Sequence, residues 1–267
     1  MIHVKRDLAS EVAPIIKEAG KIVLSYFHGR LTREHKVTQG VDHGFVTQAD
    51  LASEKYLKQE LTPLIESASI LAEESGNTET ANSDYCWVID PLDGTTNFAH
   101  GLPYFCISVG LTYKKNPVFG MIYQPLTDEL FYATQGKGAF LNGKPITASQ
   151  APLEKSLLVV GLPYSKDRAY NQLLESTFEI AHHVYAIRNF GAVALDIAYV
   201  SAGRAEGTIF QELEWWDVVA GIVLVTEAGG QVSDFQGRPI AKGYKSFIAT
   251  GNAQVHEKLL NLLNKQV

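Results

Sequence analysis

One run of twelve residues, Trp87–Phe98, constrains this sequence more than any other: Trp-Val-Ile-Asp-Pro-Leu-Asp-Gly-Thr-Thr-Asn-Phe. Its opening residues, Trp87–Ile89, are apolar and predict a buried strand. Pro91 should end that strand, because proline has no backbone N–H to give to a strand ladder. The polar residues that follow are therefore expected just beyond the end of a strand.

Asp90 and Asp93 are expected to leave this strand end together. Gly94 permits a sharp turn after them, and Thr95 is placed to begin a short helix. The free N–H groups at the start of a helix favour an anion. Carboxylates beside an anion site need a cation between them, so the run predicts Mg²⁺ that bridges protein oxygens and a phosphate. The alternative is that both aspartates only cap a turn.

Three further acidic residues follow apolar segments or begin helices. Glu73 follows an apolar stretch, and Asp50 begins a predicted helix. Asp217 precedes Val218–Val225, which is almost wholly apolar. A helix that is apolar on all faces is a buried one, so Asp217 needs a partner that neutralises it, and a metal is such a partner. The alternative for both helix-start aspartates is a capping role.

Composition and charge argue against several classes of function. The 267 residues carry a net charge of −6 without a basic cluster, which argues against nucleic-acid binding. No apolar window reaches the length of a membrane span, and no signal peptide is evident. Cys86 and Cys106 lie in apolar runs and predict buried side chains without a disulfide framework, which favours a cytoplasmic protein. The eight histidines lack metal-ligand spacing.

The apolar pattern divides the chain into two halves that are expected to pack as one unit. Residues 1–150 predict an antiparallel sheet backed by two helices, Asp7–Tyr26 and Asp50–Ile65. Residues 151–267 alternate strands with helices, as is typical of an α/β unit. The predicted strands are Ser69–Leu71, Tyr85–Ile89, Tyr104–Tyr113, Val118–Tyr123, Glu129–Ala133, Ala139–Leu141, Ser156–Val160, Val184–Ile187, Gly207–Phe210, Gln231–Ser233 and Ser246–Ala249.

Two motifs give this sequence a resemblance to a known family. The first is Asp90–Phe98, and the second is Trp216–Gly230, which begins Trp-Asp-Val and ends Glu-Ala-Gly-Gly. With Glu73 upstream, the chain resembles the inositol monophosphatase family of Mg²⁺-dependent, lithium-sensitive phosphatases over nearly its whole length. The resemblance implies an αβαβα layered sandwich, a site between the halves, and a homodimer. Haloacid-type phosphatases are rejected, because their two aspartates stand two apart rather than three.

The resemblance implies oxygen ligands for two or three Mg²⁺ ions. The side chains of Glu73, Asp90, Asp93 and Asp217 would bind metal, together with the backbone carbonyl of Leu92. Carboxylate and carbonyl oxygens suit Mg²⁺ rather than zinc, so the chemistry of these residue types agrees with the resemblance.

The resemblance also implies how a phosphate ester would be attacked. Glu73 and Thr95 would orient a water for in-line attack on phosphorus. Asp50 would hold the Thr95 hydroxyl as the acceptor of the water's proton. Lys36 matches a catalytic lysine near the family's site, but the loop over residues 37–49 is three residues longer than in the animal enzymes. No serine or cysteine nucleophile is indicated.

Substrate contacts are implied at two places. The phosphate would lie on the N–H groups that begin the predicted short helix, and the alcohol would lie at the start of a helix in the second half. The implied substrate contacts are Leu92, Asp93, Gly94, Thr95, Gly191, Ala192, Val193 and Glu212.

Two departures on the substrate side leave the specificity open. Ala192 stands where animal-type relatives have threonine, and Phe210 stands where the family has a substrate-binding glutamate. A loop shortened by two residues makes Glu212 the expected substitute, with Glu214 as the alternative.

The physiological role therefore has more than one interpretation. Inositol 1-phosphate is the default substrate, and fructose 1,6-bisphosphate, adenosine 3′,5′-bisphosphate, NADP and histidinol phosphate are the alternatives within the fold. A different class of function is a regulatory protein that uses this fold to contact partners, as some bacterial relatives do with transcription machinery. Loss of a metal ligand would favour that class, and none is lost.

Overall fold

A computed structural model describes residues 7–27, 33–38, 41–65, 67–78, 83–163 and 168–264. Two sheets alternate with three layers of helices. The helices are α1 (Leu8–Phe27), α2 (Gln48–Leu61), α3 (Thr95–Ala99), α4 (Arg168–Ala181), α5 (Val193–Ser201), α6 (Trp215–Glu227) and α7 (Ala253–Asn264). The strands are β1 (Arg33–Thr38), β2 (Val41–Thr47), β3 (Ser69–Ala72), β4 (Gly76–Thr78), β5 (Tyr85–Asp93), β6 (Cys106–Tyr113), β7 (Asn116–Gln124), β8 (Glu129–Thr134), β9 (Ala139–Leu141), β10 (Lys144–Ile146), β11 (Leu157–Gly161), β12 (Ala186–Arg188), β13 (Gly207–Gln211), β14 (Gln231–Ser233) and β15 (Ser246–Thr250).

The larger sheet has eight strands in the order β10-β9-β8-β7-β6-β5-β3-β4. All of its pairs are antiparallel except β3 with β5. Helices α1 and α2 cover one face, and the predicted apolar stripe of α1 is buried there, with Val12 and Ala19 wholly inaccessible to solvent. The sheet is covered on both faces, which is why β6 and β7 are nearly continuous runs of buried residues.

The smaller sheet has five strands in the order β12-β11-β13-β15-β14. Strand β11 is parallel to both of its neighbours, and β15 is antiparallel to β13 and β14. Helices α4 and α7 contribute Leu173, Ile180, Val255 and Leu259 to an apolar cluster on one face. Helices α5 and α6 lie between the two sheets. The predicted αβαβα sandwich is confirmed, whereas the division near residue 150 stays a prediction.

Helix α6 lies unusually close to the larger sheet. Gly110 and Gly120 are cross-strand partners on β6 and β7. A Cβ atom on Gly110 would lie 2.4 Å from a methyl group of Val219, and one on Gly120 would lie 2.3 Å from the backbone oxygen of Ala220. The two glycines therefore set the distance between this sheet and the helix that begins with the Asp217 motif.

Helix α6 is also the interior helix that its sequence predicts. Its buried positions include Val219, Leu224 and Val225. At 13 residues it is about 20 Å long, at 1.5 Å per residue, which is short of a bilayer's hydrocarbon thickness. No helix in the described ranges is both long and apolar enough to cross a membrane.

Two predictions about local structure are wrong. Pro91 does not end β5, which continues to Asp93. The pairing with β3 stops at Ile89, and the register with β6 shifts between Asp90 and Asp93, so Pro91 falls in an irregularity where a missing N–H costs no ladder bond. The expected loop before α2 is largely a hairpin of β1 and β2, whose pairing is antiparallel.

Candidate active site

The acidic residues of the first motif lie at the irregular end of β5. Asp90 is 2% exposed, and its Oδ1 atom accepts a hydrogen bond from the backbone N–H of Leu92 at 3.0 Å. Glu73 is held nearby, because its own N–H donates to the carbonyl of Ile89 at 3.2 Å. The parallel pair of β3 and β5 thus brings the ends of two strands, each with a carboxylate, side by side.

Asp93 connects this strand end to the second half of the chain. Its Oδ1 atom accepts a hydrogen bond from the backbone N–H of Val193 at 3.0 Å. Its Oδ2 atom accepts from the N–H groups of Ala194 at 2.8 Å and Leu195 at 3.3 Å, and from the Cys106 thiol at 3.4 Å. These are the donors at the start of α5, so Asp93 acts as the N-terminal cap of a helix that begins one hundred residues later.

Asp50 and Thr95 are brought together as predicted. Asp50 is fully buried, and its Oδ1 atom lies 3.0 Å from the Thr95 hydroxyl. Its Oδ2 atom accepts hydrogen bonds from the backbone N–H of Thr47 at 2.9 Å and from the Thr47 hydroxyl at 2.5 Å. Thr47 is also the N-cap of α2. The predicted cap and the predicted contact with Thr95 are therefore both present, through the two different oxygens of Asp50.

Asp217 lies in the first turn of α6. Its Oδ2 atom accepts a hydrogen bond from the backbone N–H of Glu214 at 2.7 Å, and the two residues form a capping box. The predicted capping role of Asp217 is therefore present. Asp217 also lies close enough to Glu73 and Asp93 to be affected by their charges.

The acidic groups near the end of β5 raise one another's pKa. Burial raises the pKa of Asp90 well above its usual range, and nearby acidic groups raise it further: Glu73, Asp93 and Asp217. Burial likewise raises the pKa of Asp217, with Glu73 and Asp93 contributing. Burial raises the pKa of Asp93 to about 6 despite its hydrogen bonds from α5. Buried acids that repel one another in this way favour a bound cation.

The donor set suits a hard cation. Across the described residues, no three His, Cys, Asp or Glu side chains are arranged so that they could hold a metal ion as they stand. The acidic side chains instead make the hydrogen bonds given above. The second carboxylate oxygens of Asp90 and Asp217 accept no hydrogen bond from the described residues. With the Leu92 carbonyl, these groups offer only oxygen, the ligand type that Mg²⁺ prefers.

The short helix at the end of the first motif, α3, begins at Thr95 as predicted. Gly94 is its N-cap and has φ = 87°, a backbone conformation that favours glycine. A Cβ atom there would lie 3.0 Å from both the Ala192 Cβ and the carbonyl oxygen of Tyr104. Ala192 is 1% exposed and fills the space beside Gly94, so its side chain packs against the motif while the neighbouring Gly191 is exposed.

Two predicted site residues are placed in part. Lys36 lies in β1, where the register with β2 shifts between His35 and Val37, and its side chain lies outside the described residues. Glu212 is exposed and has φ = 57°, in the left-handed region. It follows directly after β13, and its N–H donates to the carbonyl of Lys245 at 2.5 Å.

The sequence pattern indicated no role for the Asn97 amide or for the pair of Tyr104 and Asp196, which both help to organise the site. The Asn97 amide donates to the carbonyls of Tyr104 at 2.9 Å and Phe190 at 2.7 Å, so it joins the motif to the segment before α5. The Tyr104 hydroxyl donates to the buried Asp196 carboxylate at 2.6 Å. Burial raises the pKa of Asp196 well above its usual range. In the sequence, Asp196 interrupts the apolar residues of α5. A charged residue within an apolar helix is the signal that could have pointed to it.

A model of the inositol monophosphatase family matches residues 6–267. The chain belongs to the inositol monophosphatase family. It is 38% identical over 269 residues to inositol monophosphatase 2 of Solanum lycopersicum, with 97% of each chain covered. It is 38% identical over 218 residues to the Nus factor SuhB of Escherichia coli (strain K12), with 81% of this chain and 79% of that one covered.

A solved structure supports the same assignment. The extragenic suppressor protein suhB from Bartonella henselae superposes with a TM-score of 0.91 at 34% identity, and 98% of this chain and 100% of that chain are covered. The predicted fold and family are thus confirmed. Inositol monophosphatase family members are hydrolases of phosphate monoesters.

Proposed function

We propose that this member of the inositol monophosphatase family is an Mg²⁺-dependent phosphomonoesterase for inositol 1-phosphate or a similar small polyol phosphate. The observation that carries the proposal is the convergence of buried carboxylates at the end of β5, beside the Thr95 hydroxyl. Four acidic groups at one place are costly without a cation. A divalent cation beside a helix start is an arrangement that suits a phosphate ester.

The metal-binding groups are those that the family resemblance implies. The side chains of Glu73, Asp90, Asp93 and Asp217 and the carbonyl of Leu92 would hold the ions. When bound, Mg²⁺ supplies Lewis acidity and neutralises charge on the phosphoryl oxygens. The protein's part is to orient the carboxylates, which the N–H groups of Leu92 and Val193 do for the first motif.

Thr95 and Asp50 are arranged to move a proton. The Thr95 hydroxyl lies 3.0 Å from Asp50 Oδ1 and 2.8 Å from the Leu92 carbonyl oxygen. The hydroxyl donates its one proton to Asp50, so an oxygen lone pair is left to face an attacking water. As Thr95 takes a proton from that water, its own proton would pass to the Asp50 carboxylate. Thr47 fixes Asp50 through two hydrogen bonds, which keeps this arrangement in place.

On the substrate side, the structure favours Glu212 over Glu214. The Glu214 carboxylate is bound by the ammonium group of Lys245 and takes part in the capping box of α6. Glu212 is exposed and has a left-handed backbone, a kind of strain that is often retained at functional sites. With the alcohol lying over the exposed Gly191, we assign the substrate hydroxyl contact to Glu212.

Phosphate release from a substrate panel tests the proposal. The panel contains inositol 1-phosphate, fructose 1,6-bisphosphate, adenosine 3′,5′-bisphosphate, NADP and histidinol phosphate, each with Mg²⁺, with EDTA, and with Mg²⁺ plus lithium. We expect release from one or two substrates that EDTA abolishes and lithium reduces. Asp90→Asn should abolish release, whereas Asp128→Asn, in an exposed turn far along the sheet, should leave it unchanged. Release that persists in EDTA would contradict the metal assignment.

A regulatory function is the second candidate, because a relative with 38% identity is named a Nus factor. The same panel separates the two. Folded protein that binds Mg²⁺ and releases phosphate from no substrate would favour the regulatory interpretation. Metal-dependent turnover of a polyol phosphate would favour the enzyme.

A further inference from the structure

We propose that Lys245 is a positioning residue for Asp217 and acts through Glu214. The inference rests on the proposed function, because it treats Asp217 as a metal ligand. It concerns a residue outside both sequence motifs, on the loop between β14 and β15. No part of the sequence pattern connects Lys245 to the metal site.

Lys245 contacts the segment before α6 through two groups. Its ammonium group forms an ion pair with the Glu214 carboxylate. Its carbonyl oxygen accepts a hydrogen bond from the N–H of Glu212 at 2.5 Å, which extends the ladder of β13 and β15 beyond its last pair. One lysine therefore fixes both the side chain of the α6 N-cap and the backbone two residues before it.

Glu214 passes this constraint to Asp217. The Glu214 N–H donates to Asp217 Oδ2 at 2.7 Å, while the Glu214 side chain faces the N–H of Asp217 in the capping box. Glutamate is not among the residues that usually cap helix N-termini, since its long side chain loses more rotamer freedom than serine or aspartate. An ion pair that holds the carboxylate in place compensates for that cost.

The loop that carries Lys245 is itself held in place. The buried Asp234 carboxylate accepts hydrogen bonds from the backbone N–H groups of Gln236 and Arg238 and from the Arg238 guanidinium at 2.7 Å. The guanidinium in turn lies 5.1 Å from the centre of the Tyr244 ring. Lys245 thus follows a residue whose ring is already packed, and its position does not depend on the ion pair alone.

Loss of the ion pair between Lys245 and Glu214 should weaken metal binding more than it lowers the stability of the fold. The side chains of Lys245 and Glu214 are 57% and 50% exposed, and exposed ion pairs contribute little to stability. The orientation of a metal ligand, in contrast, depends on groups that hydrogen-bond to it, and loss of such a group typically weakens metal binding about 10- to 100-fold. With Oδ2 bound to Glu214, the Oδ1 atom of Asp217 is the oxygen left for a metal ion.

The test measures Mg²⁺ binding to the substrate-free, full-length protein by isothermal titration calorimetry. We expect Lys245→Met to weaken Mg²⁺ affinity about tenfold and to shift the melting temperature in EDTA by less than about 2 °C. Lys245→Arg should restore most of the affinity. The matched control is Lys242→Met, which removes a second lysine that lines the same small cavity beside α6 and should not change the affinity.

The Lys245→Met substitution made in a Glu214→Ser protein separates positioning through Glu214 from a general effect of the Lys245 charge. Glu214→Ser installs a preferred N-cap that needs no ion pair. In that background Lys245→Met should change Mg²⁺ affinity less than twofold. Equal Mg²⁺ affinities for the unsubstituted protein and Lys245→Met would overturn this inference alone, and an undiminished effect in the Glu214→Ser background would overturn it too. Absence of Mg²⁺ binding by the unsubstituted protein would overturn the proposed function as well.

Discussion

The Asp93 carboxylate caps helix α5, and its Oδ2 atom accepts a hydrogen bond from the backbone N–H of Ala194 at 2.8 Å. One side chain therefore belongs both to the acidic motif at the end of β5 and to the first turn of a helix in the second half. The Asp93 side chain therefore cannot turn without disturbing α5. The geometry of the carboxylate cluster is thus tied to the packing of the two sheets.

Asp93→Asn should reduce turnover at least about a hundredfold and also lower stability. The amide group keeps the size of the side chain but has one acceptor oxygen instead of two, so it cannot satisfy all three N–H donors of α5. We expect the free energy of unfolding to fall by about 1 kcal/mol, as for a lost helix cap. Phosphate release and urea denaturation measure the two effects. Near-normal turnover would remove Asp93 from the metal site.

Thr95→Val should reduce kcat by about 10²- to 10⁴-fold, the range that proton transfer by a positioned group contributes. Thr95→Ser keeps the hydroxyl and should stay within a few-fold of the unsubstituted enzyme. Mg²⁺ affinity should be the same in both variants, because the hydroxyl is not a proposed ligand. Equal rates for the serine and valine variants would show that Thr95 does not accept the proton.

Glu212→Gly should raise KM for the polyol phosphate while leaving stability unchanged or slightly higher. Glycine adopts the φ of 57° at this position without steric cost, and the N–H bond to Lys245 remains. Glu212→Gln, which keeps the side chain but removes its charge, is the comparison. Steady-state kinetics and thermal melting measure the two effects, and an unchanged KM in the glycine variant would exclude Glu212 from the substrate site.

Gly120→Ala and Gly110→Ala should both destabilise the protein by about 1–3 kcal/mol, as overpacking does. The two variants should differ in whether a second substitution restores their stability. The added methyl group at Gly110 meets the side chain of Val219, so Val219→Ala should restore part of the loss. The methyl group at Gly120 meets the backbone of Ala220, and no side-chain truncation relieves that contact. Chemical denaturation of each alanine variant, alone and combined with Val219→Ala, tests this. Equal recovery of stability in the two double variants would show that α6 shifts freely.

His256 should make the protein less stable as the pH falls below about 6.5. Burial lowers the pKa of His256, whose ring nitrogens lie 2.7 Å from the Ser233 hydroxyl and 3.0 Å from that of Thr250. The unfolded chain binds a proton before the folded one does, so stability rises with pH between the folded pKa and about 6.5 and is lost on acidification, by up to about 1.4 kcal/mol per pH unit.

Denaturation of His256→Gln over the same pH range isolates this contribution. The variant should be less stable at pH 7.5 but should show a smaller loss between pH 7 and pH 5.5. His183→Gln removes an exposed histidine and is the matched control. Identical pH dependence in the unsubstituted protein and His256→Gln would contradict the prediction.

Local signals predicted most elements of the fold. The first helix and the apolar strands β6 and β7 are all confirmed. Lys114 and Lys115, which lie between these two strands, have φ of 48° and 69°, as in a two-residue hairpin. The short strands β4 and β10 were missed, because their residues, Gly-Asn-Thr and Lys-Pro-Ile, form no apolar run.

Residues close together in the chain were enough to predict the chemistry of the site. Asp90, Asp93, Gly94 and Thr95 are close in the chain, so a strand end and a turn suffice to bring their carboxylate, N–H and hydroxyl groups together. Residue type then predicts oxygen ligands for a hard cation. These are short-range properties, which backbone geometry and side-chain chemistry fix before any packing occurs.

The distant groups that orient these residues depend on tertiary packing. Asp93 meets Ala194 because two sheets pack on α5 and α6, and Glu214 meets Lys245 because β13 pairs with β15. The continuation of β5 through Pro91 likewise depends on where its neighbour β3 ends. Contacts between residues thirty to a hundred positions apart follow from strand order and layer packing, and no local pattern encodes them.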